Sequence, residues 1–201
     1  MSLSSRYTVI AIAFGLLAFQ SPAAEPKPPV TEKEGAETKA SVTTLPFDRT
    51  TVVRVEAIRF KLPIETLKSG EKVIAEFSFL SGRKVDLTRL EELAVKKVEL
   101  TPTQIDTLIQ ALYGKNKKMS PAACYEPHHL FLFYDVSGGL INTVELCFSC
   151  TSVSAFPGIP EKQWYRHDFR KLAKLCEECG IGLELKSAEE YSQILDAREG
   201  K

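Results

Sequence analysis

The sequence lacks an excess of either charge. Its 201 residues carry 26 Lys and Arg against 26 Asp and Glu, with three histidines. A nucleic-acid partner or an anionic membrane surface normally leaves a basic excess, so the balance argues against both. A hydrophobic run long enough to cross a bilayer is also missing. The longest, from about Val9 to Phe19, falls short of the roughly 20 apolar residues a span takes. No Gly-x-Ser-x-Gly elbow surrounds Ser152 or Ser154, which argues against a serine hydrolase. No Gly-rich turn accompanies Lys115, Lys117 and Lys118, so a phosphate-cradling loop is not indicated there. No internal repeat is visible.

What is present begins with an N-terminal pattern. "MSLSSRYTVIAIAFGLLAFQSPAA" offers one positive charge, Arg6, then the apolar run, then a small-residue cleavage site at Ser21-Pro22-Ala23. Residues 1–23 therefore read as a secretory signal peptide, cut after Ala23 or Ala24, with an uncleaved anchor as the alternative. No cysteine lies near the cut, so acylation at that point is excluded. Cleavage removes Arg6 and no acid, leaving 25 basic against 26 acidic residues and no transmembrane segment in the mature chain. The expected location is periplasmic or secreted. Residues 24–45 are dominated by Pro, Glu, Lys and Ala and read as a disordered tether, too poor in apolar residues to offset the entropy of ordering. Residues 46–201 form a single domain on length.

Within it, "TTVVRVEAIRF" (Thr50 to Phe60) reads as a strand, as does "KVIAEFSFL" (Lys72 to Leu80), with "RKVDL" as a short returning partner. "TRLEELAVKKVEL" reads as a loop or helical turn followed by a strand over Val95 to Leu100. Thr101-Pro102-Thr103-Gln104 has the form of a capping box, and Ile105, Leu108, Ile109 and Leu112 continue at helical spacing until Gly114. "HHLFLFYD" and "LINTVELCF" make a hairpin around Ser137 to Gly139. Val144, Leu146 and Phe148 lie on one face of it, Ile141, Thr143, Glu145 and Cys147 on the other. "TSVSAFPGIPEK" reads as a loop. A helix from about Gln163 to Cys179 follows, with Trp164 and Tyr165 anchoring it on the sheet, and "SAEEYSQILDA" adds a short helix opened by a Ser-x-x-Glu cap. The fold class is α+β: a mostly antiparallel sheet with a Cys/His-bearing hairpin, covered on one side by two or three helices.

Five cysteines are an odd number for an exported chain, in which paired thiols tend to oxidise. The hairpin turn places Cys147 opposite His128 or His129, and Cys150 near Cys124. Three chemistries fit. A disulfide from Cys124 to Cys150 or Cys147 would staple the hairpin, contributing about 3 kcal/mol for a closed loop of roughly 25 residues. Alternatively, Cys124, Cys147 and Cys150 with His128 or His129 would supply soft ligands for Zn or Cu. Against that stands the lack of a Gly after Cys150. Thirdly, Cys147 and Cys150 would serve thiol–disulfide exchange, though a reactive Cys-x-x-Cys usually opens a helix and this one ends a strand. Cys176 and Cys179 read as core packing at a helix C-terminus. His167, next to Asp168, reads as a solvated histidine; Glu126 and Glu145 could pair as carboxylates near the hairpin, but nothing in the sequence fixes their separation, and exposed strand glutamates are the commoner reading.

The residues Cys124, Pro127, His128, Phe133 to Asp135, Gly138 and Glu145 to Cys150, with "LAKLCEECGI" later, resemble a pattern in small exported bacterial proteins of unassigned function. The resemblance covers roughly the C-terminal third and implies that the cysteine–histidine cluster is one unit, without implying an activity. The expectation is an exported, non-enzymatic protein with a disulfide-stapled hairpin. A periplasmic metal-binding protein and a thiol oxidoreductase are the alternatives, and a protein partner in the cell envelope is left open.

Overall fold

His129–Tyr134 is a strand in which all six side chains are buried, and that requires cover on both faces of the sheet it belongs to. The computed structural model describes residues 45–74, 78–80, 85–120, 124–159, 165–183 and 186–200. The expected signal peptide, nearly all of the tether, and Trp164 lie outside the described residues.

Among the described residues, seven strands and four helices follow one another as β1 (Arg54–Phe60), β2 (Ile64–Thr66), β3 (Lys72–Ile74), α1 (Leu87–Leu93), β4 (Ala94–Glu99), α2 (Pro102–Tyr113), β5 (His129–Tyr134), β6 (Leu140–Cys147), β7 (Ser152–Phe156), α3 (Phe169–Glu178) and α4 (Ala188–Arg198). Five strands form an antiparallel sheet in the order β4-β1-β5-β6-β7, and β2 and β3 pair separately. This is the α+β architecture expected. Strand parity divides the core in two. Val55, Ala57, Phe131, Phe133, Val144 and Leu146 face α2, α3 and α4. Ile58, Phe60, Leu130 and Leu132 meet Leu90 and Leu93 of α1 together with Phe79 and Leu80. The three longer helices thus cover one side, and short α1 with the Phe79–Leu80 segment completes the other.

Local chemistry sets the ends. The Thr101 hydroxyl accepts from Gln104 N while Gln104 Oε1 accepts from Thr101 N at 2.9 Å, and Ser187 with Glu190 does the same for α4. Both are capping boxes. In the β5–β6 turn the Asp135 carboxylate accepts from Ser137 N, Ser137 Oγ and Gly139 N, and Gly138 takes φ 78°. Those three donors hold the Asp135 carboxyl below its ordinary pKa.

Several sequence expectations need correction. The first strand starts at Arg54, because Asp48 accepts from Thr50 N and winds Arg49–Thr51 into a 3-10 turn. Of Lys72 to Leu80, the described strand covers Lys72–Ile74, residues 75–77 lie outside the described residues, and residues 79–80 turn. The short partner over Arg83 to Leu87 falls partly outside the described residues, and its Asp86 caps α1 by accepting from Arg89 N. The apparent loop after Cys150 contains β7. Helix α3 begins at Phe169, because Asp168 is its cap and accepts from Lys171 N at 3.0 Å. Tyr165 lies before that helix with φ 63° and is 43% exposed, so it does not anchor it.

Candidate metal centre

The turn between β6 and β7 carries two of the cysteines. Cys147 ends β6 and pairs with Ser152, the first residue of β7, so Phe148 to Thr151 form the connection. Thr151 sits at φ 51°, in the left-handed region where glycine is the usual occupant. Its hydroxyl has one hydrogen to donate and two carbonyls in reach, Cys150 O at 2.7 Å and Ser120 O at 3.3 Å. The third cysteine comes from the segment entering β5. His129 pairs with Leu146, which sets Cys147 opposite His128 as one of the two expected registers. Cys124 is carried up to the turn, and Glu126 N donates to Cys147 Sγ at 3.4 Å.

The sulfurs of Cys124, Cys147 and Cys150 all lie within 4.8 Å of one another. Cys147 and Cys150 are fully buried and Cys124 is exposed, and all five cysteines of the chain are free thiols. Zn–S bonds are about 2.3 Å, so tetrahedral thiolates sit roughly 3.8 Å apart. Closing the three sulfurs on one ion takes about 1 Å of movement at most. They lie close enough to hold a metal ion, and their softness is compatible with Zn. Hydrogen bonding within the cluster divides the thiols. The bond from Cys150, helped by Glu126 N, lowers the Cys147 pKa to about 7 against the opposing effect of burial. Cys150, the donor, is raised by that same bond and by burial.

The surroundings hold the cluster from two sides. Tyr125, beside Cys124, donates to Glu145 Oε2 at 3.2 Å. Glu145 is fully buried and also accepts from Ser78 Oγ at 2.5 Å and Phe79 N at 2.6 Å. Burial raises its pKa in spite of the hydrogen bonds it accepts. The reading of Glu145 as an exposed strand glutamate is therefore corrected: it ties the Phe79–Leu80 cover to the cysteine segment. On the helical side, Tyr191 Oη donates to Phe148 O at 2.9 Å, and both terminal nitrogens of Arg198 donate to Ser149 O at 3.1 and 3.2 Å. Helix α4 thus grips the two middle carbonyls of the Cys147–Cys150 turn. No sequence signal marked these two residues, since their partners are backbone atoms 43 and 49 positions away.

The histidines do not join the sulfurs. His129 points to the helical face, where Nε2 lies 2.8 Å from Gly182 O and the ring meets Phe148 edge-on. The carbonyl can only accept, so Nε2 carries the proton. Burial pushes the His129 pKa down to about 4. His128 stacks against Phe60 with centroids 6.4 Å apart. Neither belongs to the group of converging ligands. His167, expected in solvent, is 4% exposed, with Nδ1 2.8 Å from Leu112 O. Cys176 is buried in the core and Cys179 half-buried beside it, as expected for packing residues.

Among the described residues no helix is long and apolar enough to cross a membrane. Comparison of the chain with protein-family models, with curated proteins and with solved structures returned no match.

Proposed function

We propose that this is an exported protein that binds one soft transition-metal ion, Zn²⁺ or Cu⁺, through Cys124, Cys147 and Cys150. The observation that carries the reading is the convergence of three sulfurs, two supplied by a gripped turn and one by a facing segment, within 4.8 Å. Structural zinc sites are closed by four protein ligands. Here three ligands converge among the described residues and the exposed one, Cys124, faces solvent. A three-thiolate site with an accessible side suits reversible loading, and trigonal sulfur suits Cu⁺. The role that follows is metal holding or hand-over, with no enzymatic step required of the chain.

A second reading rests on the same exposed thiol. In an oxidising compartment Cys124 lies within reach of both buried partners, so a Cys124–Cys150 or Cys124–Cys147 disulfide would staple the segment to the turn. Exchange chemistry through Cys147 and Cys150 draws support only from the lowered Cys147 pKa. The deciding experiment is the intact mass of the exported chain, purified without chelator, under native and then denaturing conditions. A single metal adduct that is lost on denaturation, with the thiols then free, supports the site. A mass short by two hydrogens with no adduct overturns it in favour of the staple.

A further inference from the structure

Behind the Cys147–Cys150 turn, on the helical side of the sheet, lies a cavity of about 210 Å³ into which the cysteine side chains do not reach. Phe148, Leu183, Tyr191 and Ile194 give it apolar walls, and Lys186 and Arg198 stand among its lining residues. We infer that this cavity is a binding site for a small carboxylate with an apolar, preferably aromatic, body.

Charge and size select that class. No described carboxylate lines the cavity. The acids nearest along α4 to Arg198, namely Asp196 and Glu199, are taken by Arg170 at 2.7 and 3.0 Å. Arg198 instead places two nitrogens on a neutral carbonyl, Ser149 O, and among the described residues it forms no ion pair. Glu190 acts on Lys186 electrostatically, but its carboxylate is held by Ser187 N and Oγ in the helix cap. Buried His129, one of the lining residues, is neutral at pH 7 and adds no charge. Two cations among apolar walls favour an anion whose body is apolar, the arrangement of a few placed polar groups in an otherwise apolar pocket. An apolar cavity of about 150 Å³ takes benzene, so this one has room for an aromatic ring with a short arm. Tyr191 and Phe148, whose rings already meet edge-on at 5.2 Å, offer aromatic contacts.

The site stands independently of the metal reading. The test uses the full chain, isotope-labelled, titrated with phenylacetate and with its neutral counterpart 2-phenylethanol, following the amides of Phe148, Ser149 and Leu183. Saturable shifts are expected for phenylacetate, with about five-fold weaker binding of the alcohol from two exposed charge contacts. The difference should shrink in salt. Lys186→Glu, at an exposed position, should remove the preference for the acid, and Ile194→Trp should fill the cavity and abolish binding. Equal affinity for acid and alcohol, binding that survives Ile194→Trp in a folded variant, or no saturable shift with either probe overturns the inference.

Discussion

Replacing Cys124 by alanine separates the two chemistries of the cluster, because the structure gives that residue no packing role. Cys124 is exposed, so truncation removes little buried area and by itself changes stability by no more than about 0.5 kcal/mol. If the three sulfurs hold a metal, the variant loses one ligand. Four-ligand zinc sites contribute roughly 10–16 kcal/mol, or about 3 kcal/mol per ligand at the low end, so affinity should fall about 100-fold. If Cys124 instead closes a disulfide, the variant should lose about 3 kcal/mol of folding stability through the freed loop. For a domain of this size that lowers Tm by roughly 6–12 °C.

The assay is a competition titration against a chromophoric chelator, alongside thermal unfolding with and without chelator and with and without reductant. The metal reading expects a weaker metal, an apo melting curve like that of the parent, and a parental curve that chelator lowers. The staple reading expects a curve that reductant lowers in the parent and leaves unchanged in the variant. A variant that binds Zn²⁺ as tightly as the parent and melts at the same temperature in every condition would sink both.

Three further outcomes follow from the same geometry. With Cys147 near half-ionised at pH 7 and Cys124 and Cys150 raised, metal binding in weak buffer should release roughly two and a half protons at pH 7 and about two near pH 8.5, and affinity should fall as pH drops. Glu145 has a raised pKa, so its contribution to stability is present below the unfolded pKa and is lost as pH rises through the folded one. Urea midpoints from pH 4 to 8, in chelator, should show that part of the slope missing in Glu145→Gln. Taking the difference between parent and variant removes the opposite effect of His129 and His167, whose pKa values are lowered. Tyr191→Phe removes the donor to Phe148 O and should lower stability by about 1 kcal/mol and metal affinity roughly ten-fold. A shift in the Co²⁺–thiolate absorption band would mark a change in how the turn presents its sulfurs.

The parts of this fold that were legible in the sequence are those whose causes are local. Thr101 and Gln104 announce their helix within four residues, and the Gly138 turn fixes which residues of β5 and β6 face each other. The turn could not say where the histidine rings point. Parity sends His129 to the helical face, to a carbonyl of Gly182 supplied 53 residues later. Strand β7 was hidden because Pro157 and Gly158 follow directly, although Val153 and Ala155 do alternate toward the core. Glu145 and His167 read as surface residues because the groups that satisfy them, Phe79 N and Leu112 O, are 66 and 55 positions away. Buried polar groups need partners, but a sequence does not list backbone partners at such distances.

The missing glycine after Cys150 shows how a residue type can mislead where the backbone does not. A cysteine turn that closes on a metal often uses glycine there for its positive φ, and the lack of one weighed against a metal. Thr151 adopts that conformation anyway, at φ 51°. A β-branched residue there carries about 1–2 kcal/mol of strain, which the one hydrogen bond its hydroxyl donates, to Cys150 O or Ser120 O, partly offsets. Thr151→Gly relieves the strain, loses that one hydrogen bond at about 1 kcal/mol net, and adds about 0.5–1 kcal/mol of unfolded-chain entropy. The sum is within about 1 kcal/mol of zero, and metal affinity should be retained. Thr151→Val keeps the strain and loses the bond, so it should destabilise by about 1 kcal/mol and weaken the site. Chemical denaturation and a zinc titration on the pair give the answer. If glycine proves as damaging as valine, the side chain and not the backbone shapes the turn, and the argument for a preformed three-sulfur site loses its footing.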